Sequence, residues 1–155
     1  MATKDIILGK ELDNKESQVI VKYCGSLGGS PLIPFFLNNL ANLMIAGHTH
    51  YHFAGNNRTK AVYAEIDGKI VGHIAFEILD DAFKTAWITL SAVDDKYKKR
   101  GIYTILHKHF ENQIKSLNAK KIASYVHVNN TVRQTSCAKV GMKPVYYRME
   151  KDLTE

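Results

Sequence analysis

Asp94-Asp95-Lys96-Tyr97-Lys98-Lys99-Arg100-Gly101-Ile102-Tyr103-Thr104 is the stretch on which the reading of this chain turns. A strand-like run ends at Val93, a cluster of bases follows, then a glycine, then apolar residues at helical spacing. A strand, a basic loop with glycine and a helix start, in that order, build a seat for an anion. The first backbone N–H groups of a helix lack internal partners, and the helix dipole places partial positive charge there. Two other readings stay open at this point. The bases could be a solvated charge run ahead of a helix cap. Alternatively Lys96 to Arg100, with Tyr97 interleaved, could be a phosphate-binding patch for nucleic acid. No second basic stripe or stacking platform accompanies that patch.

Downstream of Gly101, the residues Ile102, Ile105, Leu106, Phe110, Ile114 and Leu117 form the apolar stripe of a helix that Asn118 ends. Lys121 to Val128 reads as a strand with Ile122, Val126 and Val128 inward. A strand, helix, strand order predicts that 84–93 and 121–128 lie parallel. Asn129 or Asn130 caps a short helix through Val140, which Gly141 terminates. A last strand is expected from Lys143 to Lys151, and its aromatic pair Tyr146 and Tyr147 points to a homodimer.

Upstream, Asp67-Gly68 between Ala61–Ile66 and Lys69–Leu79 is the signature of a two-residue type I′ hairpin. Alternation puts Val62, Ala64 and Ile66 on one face of the first strand, and Ile70, Ile74, Phe76 and Ile78 on one face of the second. Lys84 to Val93 is a third strand, with Ala86, Ile88, Leu90 and Ala92 on one face. Gln18 to Tyr23 reads as an earlier strand, and Ser30-Pro31 opens a helix carrying Phe35, Phe36, Leu40, Leu43 and Met44. Residues 1–16 are expected to be a loosely ordered lead-in.

The chain has 155 residues and no linker long enough to divide it, so one domain is expected over 1–155. A formal charge of +6 favours anionic partners. Cys24 and Cys137 form no disulfide or zinc spacing, which fits a reducing compartment. No signal-peptide core and no membrane-spanning run is visible, so a cytoplasmic location and no membrane partner are expected.

The segment from about residue 60 to the end resembles the GNAT superfamily of N-acetyltransferases. Two motifs carry the resemblance. Lys98-Lys99-Arg100-Gly101-Ile102-Tyr103 is similar to the family's pyrophosphate loop, Arg/Gln-x-x-Gly-x-Gly/Ala. Asn130 to Cys137 followed by Lys139-Val140-Gly141-Met142 is similar to its Asn, short helix and Lys-x-Gly-Phe. Three positions depart from the pattern. Lys98 keeps charge but loses a forked donor, Met142 replaces Phe, and Tyr103 stands where the family keeps a small residue. Tyr103 must therefore point away or reshape the seat.

The resemblance implies an α/β (α+β) domain with a mixed, mostly antiparallel sheet, splayed near the start of the basic turn, helices on both faces, and an acyl-CoA-binding core over 60–151. It implies acetyl-CoA as co-substrate and direct attack by a primary amine, with no metal. Ser91, Ala92 and Val93 would hold the carrier by backbone. Lys98, Lys99, Arg100, Gly101, Ile102, Tyr103 and Thr104 would hold its pyrophosphate, and Asn130 its pantetheine arm unless it merely caps the helix. The Val93 N–H would meet charge on the thioester oxygen. Cys137, where many members keep tyrosine, is the candidate acid for the leaving thiolate; a small buried core residue is its other reading. Glu77, His73 and His127 are candidate bases acting through water, each with a structural role as the alternative. Tyr51, Phe53 and His127 are candidates for the acceptor side. His48, His50 and His52 alternate as metal ligands can, but no carboxylate or cysteine stands near them. A CoA-binding protein of this fold with little activity is the alternative, and a basic nucleic-acid-binding module is a further one.

Overall fold

The computed structural model describes residues 4–11, 18–27, 30–45 and 58–154. In chain order these form strands β1 (Lys4–Glu11) and β2 (Gln18–Cys24), helix α1 (Ile33–Ile45), and strands β3 (Lys60–Ile66), β4 (Lys69–Ile78) and β5 (Ala86–Val93). Helix α2 (Ile102–Ser116), strand β6 (Ile122–Ser124) and helix α3 (Thr131–Lys139) follow. The described strands make one sheet in the order β1-β2-β3-β4-β5-β6. Every neighbouring pair is antiparallel except β5 and β6, which are parallel across the α2 crossover as the strand, helix, strand order predicts.

Local chemistry explains the elements. Asp67 and Gly68 both take positive φ, 51° and 76°, which the type I′ turn between β3 and β4 demands. The Leu32 N–H donates to the Ser30 hydroxyl at 3.2 Å, so Ser30 does serve the start of α1. Helices α1 and α2 lie on opposite faces of the sheet and bury separate clusters. Under α2 sit Val62, Ala64, Ile74 and Phe76 with Ile102, Leu106 and Phe110. Phe76 and Phe110 meet edge to face at 5.1 Å. Against α1 lie Leu27, Leu32, Phe36, Ala61, Tyr63, Ala75 and Leu90.

Two β-bulges correct the alternation expected from the sequence. In the β3–β4 ladder Ala64 faces Gly72 and Glu65 faces Ile70, so Val71 is the extra residue. In the β4–β5 ladder Ala75 faces Leu90 and Phe76 faces Ile88, so Thr89 is extra. A bulge moves the following side chains to the other face. Ile70 therefore packs with the α1 cluster while Ile74 packs under α2, and Leu90 parts company with Ala86 and Ile88.

Two further expectations are overturned. Residues 4–11, read as loose lead-in, are β1, registered on β2 from Lys4↔Tyr23 to Glu11↔Gln18. Its mixed charge hid it, but charge is what an edge strand tolerates. The expected strand 143–151 is absent, and 121–128 shrinks to the three residues of β6. Pro144 can donate no ladder bond, and so short a β6 offers little edge to pair with. No described helix is long and apolar enough to cross a membrane.

Candidate active site

The parallel pairing of β5 and β6 covers only Ala86↔Ile122, Trp87↔Ala123 and Ile88↔Ser124. The next residue of β5 is the bulged Thr89, whose hydroxyl donates to the Ala75 carbonyl at 3.2 Å. The strands separate from that point, five residues before the basic turn rather than at its start. The remaining ladder to β4 shows which groups face the gap. Asp94 N–H donates to Val71 carbonyl at 2.8 Å, which makes that pair hydrogen-bonded. Antiparallel pairs alternate, so the Gly72↔Val93 and Ile74↔Ser91 pairs are non-hydrogen-bonded. Val93 and Ser91 therefore aim their backbone N–H and C=O groups away from β4, into the side that β6 has left.

Helix α2 is pressed close to this rung. A Cβ on Gly72 would stand 3.1 Å from Leu106 Cδ1 and 3.2 Å from the Ala92 carbonyl oxygen, so any side chain there would make its neighbours give by a few tenths of an ångström. The turn into α2 is held from both ends. The Asp94 carboxylate accepts from Lys96 N–H at 3.0 Å and caps a single 3-10 turn, Asp95–Tyr97. Lys98 pairs with Asp95 at 2.8 Å, and this interaction holds the exposed Asp95 carboxyl below its usual range. Arg100 lies over the Tyr97 ring at 5.4 Å. Lys99 and Gly101 take φ of 63° and 80°. Gly101 is the N-cap and brings no side chain to the helix end. The first bond into the helix runs from Ile105 N–H to Gly101 carbonyl at 3.1 Å, so the N–H groups of Ile102, Tyr103 and Thr104 precede it. Ile102 itself points down into the core, which anchors the turn.

Tyr103 points into the gap between α2 and α3 and is half-buried. Its phenol oxygen accepts a hydrogen bond from Arg133 Nη1 on α3. Burial pushes the phenol above its ordinary range; the Arg133 guanidinium pulls the other way, Cys137 pushes up, and the Ser91 hydroxyl pulls down. Tyr103 thus reaches the end of β5 and the Cys137 side of α3 at once. Arg133 Nη2 is buried with no partner among the described residues. His107, one turn further along α2, is 1% exposed; Nδ1 meets Glu111 at 3.0 Å and Nε2 has no partner among the described residues. Burial lowers its pKa, against the pull of Glu111 and with the help of Arg133. Beside it a cavity of about 300 Å³ opens between α2 and Val140. Arg133 and His107 were not among the residues the sequence singled out. The His107–Glu111 spacing is a readable helical pair, but the Arg133 contact depends on how α3 docks.

The remaining candidates divide. Asn130 accepts from Arg133 N–H at 3.1 Å and so caps α3. Cys137 is buried, 7% exposed, on the α3 side of the gap. His127 lies in the turn after β6, where Nδ1 accepts from Asn129 N–H at 3.1 Å. His73 stands on the rung with Ala92 but on the α1 face, 0% exposed, with Phe35 and Phe36 edge-on at 5.1 and 5.8 Å. Burial drives its pKa down to about 4, with smaller opposition from the Ala92 backbone. Glu77 pairs with Trp87 near the other end of β4. Five residues at ~3.3 Å each place it about 16 Å from Gly72, but its partner Trp87 is only two positions before Thr89, where the gap opens. Tyr51, Phe53, His48, His50 and His52 lie outside the described residues. Among the described residues no cluster of three His, Cys, Asp or Glu is placed to hold a metal.

Comparison with known proteins bears on this arrangement. The acetyltransferase (GNAT) family model matches residues 36–142. A search of curated proteins finds no match. Among solved structures, an aminoglycoside acetyltransferase from an uncultured soil metagenomic sample, in complex with trehalose, superposes with a TM-score of 0.66 at 13% identity. That match covers 93% of this chain and 100% of the other. A ribosomal-protein-alanine N-acetyltransferase from Brucella melitensis biovar Abortus 2308 superposes with a TM-score of 0.66 at 12% identity, over 87% and 99% of the two chains. AAC(6′)-Iy, in complex with the bisubstrate analogue CoA-S-monomethyl-acetylneamine, matches at a TM-score of 0.50 and 16% identity, over 81% and 84%. At these identities the solved structures share the fold. The family match spans most of the chain, and it runs through the parted strands, the basic turn and α3: the chain belongs to the GNAT acetyltransferase family.

Proposed function

We propose that this chain transfers an acetyl group from acetyl-CoA to a primary amine by direct attack, with both substrates bound together. One observation carries the reading. The backbone edge of β5 at Ser91 and Val93, left open by β6, runs through the basic turn into the unbonded N–H groups at the start of α2. That is a continuous run of donors and acceptors for an extended amide-bearing arm that ends in phosphate. The residues fit such a group. Lys98, Lys99 and Arg100 supply positive charge, the space above Gly101 is open, and Arg133 Nη2 is a buried donor in want of an acceptor.

Acetyl-CoA supplies the activated acetyl group. The chain's own residues do the rest. Ser91, Ala92 and Val93 hold the arm by backbone pairing, and Lys99 to Thr104 hold the pyrophosphate. The Val93 N–H takes up negative charge developing on the thioester oxygen. Two groups flank the leaving sulfur's side of the gap, the Cys137 thiol and the Tyr103 phenol. With its pKa raised by burial, the phenol is protonated at neutral pH and can donate. Among the described residues, Glu77 and His127 are the solvent-reachable candidates for a base. His73 is sealed behind Phe35 and Phe36, while Glu77 lines a cavity with Arg58 and Lys60 close to the rung where β5 and β6 part. Acting through water, Glu77 or His127 would deliver the acceptor as the neutral amine that attacks.

The sealing of His73 favours a second reading, a CoA-binding protein of this fold with little turnover. Titration with CoA, followed by thiol release across a panel of primary amines, separates the two. CoA binding with thiol release supports transfer. CoA binding with no release from any amine supports the second reading, and failure to bind CoA at low salt removes both. Tight oligonucleotide binding in its place would restore the nucleic-acid reading.

A further inference from the structure

The gap between α2 and α3 holds a cluster that acetyl transfer uses only in part. Tyr103 and His107 are four residues apart on α2, and Arg133 and Cys137 are four apart on α3, so each pair shares one face of its helix. The two faces meet. Arg133 donates to the Tyr103 phenol, the Tyr103 and His107 rings lie 5.9 Å apart, and Cys137 is near enough to push the phenol's pKa up. The Ser91 hydroxyl meets the same phenol, which ties the cluster to the open edge of β5.

The cluster is not complete by itself. Burial keeps the His107 ring neutral, and its Nδ1–H donates to Glu111, so Nε2 carries a lone pair. That nitrogen is buried with no partner among the described residues, and so is Arg133 Nη2. His107 shares its helix face with Tyr103 and feels the charge of Arg133, which aims it at α3. A buried acceptor and a buried donor left unpaired mark a place where a polar ligand belongs. The buried Cys137 thiol borders that place. Cys24 does not; it lies on β2, where its thiol donates to the Ser26 carbonyl at 3.0 Å.

We propose that Cys137 is a redox site for the acyl carrier itself, forming a reversible mixed disulfide with CoA when the CoA pool is oxidised. The proposal rests on the reading that the gap holds CoA. An arm paired along Ser91 to Val93 brings its sulfur to the Tyr103 and Cys137 side, so the two sulfurs meet without a search. The Cys137 sulfur attacks one sulfur of CoA disulfide. A bond forms between Cys137 and that half, the original S–S bond breaks, and the departing CoA thiolate takes the proton that Cys137 gave up. One disulfide is consumed and one is made, so CoA disulfide is the only oxidant required. The adduct occupies the carrier's seat and shuts out acetyl-CoA until a thiol reductant releases it. The tyrosine that many members keep at this position could not form it.

Incubation of the full chain with CoA disulfide, followed by intact-protein mass spectrometry, tests the proposal. The mass should rise by one CoA, digestion should place the adduct on Cys137, and dithiothreitol should remove it. Cys137→Ser should take up no CoA, while Cys24→Ser should be labelled as the wild type is; Cys137→Ala replaces the serine variant if that one folds poorly. Oxidised glutathione, a disulfide with no nucleotide, should label Cys137 more slowly by about tenfold or more. Excess S-methyl-CoA, which has no free thiol, should suppress labelling by CoA disulfide. An adduct on Cys24, equal rates for the two disulfides, or no adduct on a chain that calorimetry shows to bind CoA would overturn the proposal and leave acetyl transfer standing. A chain that binds no CoA overturns both.

Discussion

Arg133 of α3 donates a hydrogen bond to the phenol of Tyr103 on α2, and its guanidinium lies 5.1 Å from the centre of the same ring. The contact ties the two helices across the gap that β5 and β6 open. It also accounts for Tyr103 at a motif position where a small residue is the rule. The ring reaches across the gap, and its hydroxyl has a cation to meet. Tyr103→Phe should cost about 1–3 kcal/mol in urea unfolding, because a buried guanidinium loses an acceptor. If the phenol gives a proton to the leaving thiolate, the same variant should lower thiol release at saturating acetyl-CoA about 10²-fold, with CoA affinity changed far less. Unchanged turnover would leave that role to Cys137.

Gly101 holds φ at 80°, a conformation that costs a β-branched residue about 1–2 kcal/mol, while nothing within 4 Å of the added Cβ would clash. Gly101→Val should therefore act through the backbone. It should tilt the first N–H groups of α2 and weaken CoA binding at least tenfold by titration calorimetry. Gly101→Asn, which tolerates positive φ, should retain more of the affinity.

His73 gives the chain a specific acid sensitivity. Its folded pKa is near 4 against the ordinary 6.5, so the unfolded chain binds the extra proton first. Stability from this site is intact above about pH 6.5 and falls as pH drops toward 4, by up to about 3 kcal/mol in total. Urea midpoints measured between these limits should show the slope, and His73→Phe should flatten it. An unchanged slope in that variant would assign the acid sensitivity elsewhere.

Asn130 separates capping from binding. Its carboxamide oxygen accepts from Arg133 N–H, so Asn130→Ala should cost about 1 kcal/mol of stability. Asn130→Ser, which still caps, should recover most of it. If the Asn130 amide also holds the pantetheine arm, the serine variant should bind CoA more weakly despite its restored stability.

Much of this molecule can be read before its structure is seen. Asp67-Gly68 announces its hairpin because few dipeptides take two positive φ values in sequence. The helix after Gly101 and the parallel return to β6 follow from a change of period. The bulges at Val71 and Thr89 are less visible, because an extra residue leaves the alternation of types intact while reversing which face each side chain meets. The Thr89 bulge is also where the strands part, so the geometry of the site rests on a feature that composition does not signal. Strand β1 was hidden by its charges, and the stretch around Tyr146 mimics a strand that Pro144 and a three-residue neighbour do not support. Arg133 finds Tyr103 only once α3 is docked, a matter of tertiary placement rather than of spacing.

The central claim is that the open edge of β5 and the start of α2 together hold the acyl carrier. Backbone amide shifts of the labelled protein, followed while CoA is added, test it most directly. Saturable shifts are expected, largest at Ser91, Val93 and Gly101 through Thr104, with Arg133 following. Saturable shifts centred elsewhere, such as the cavity of about 620 Å³ lined by Arg58, Lys60 and Glu77, or no saturable shift at low salt, would contradict it.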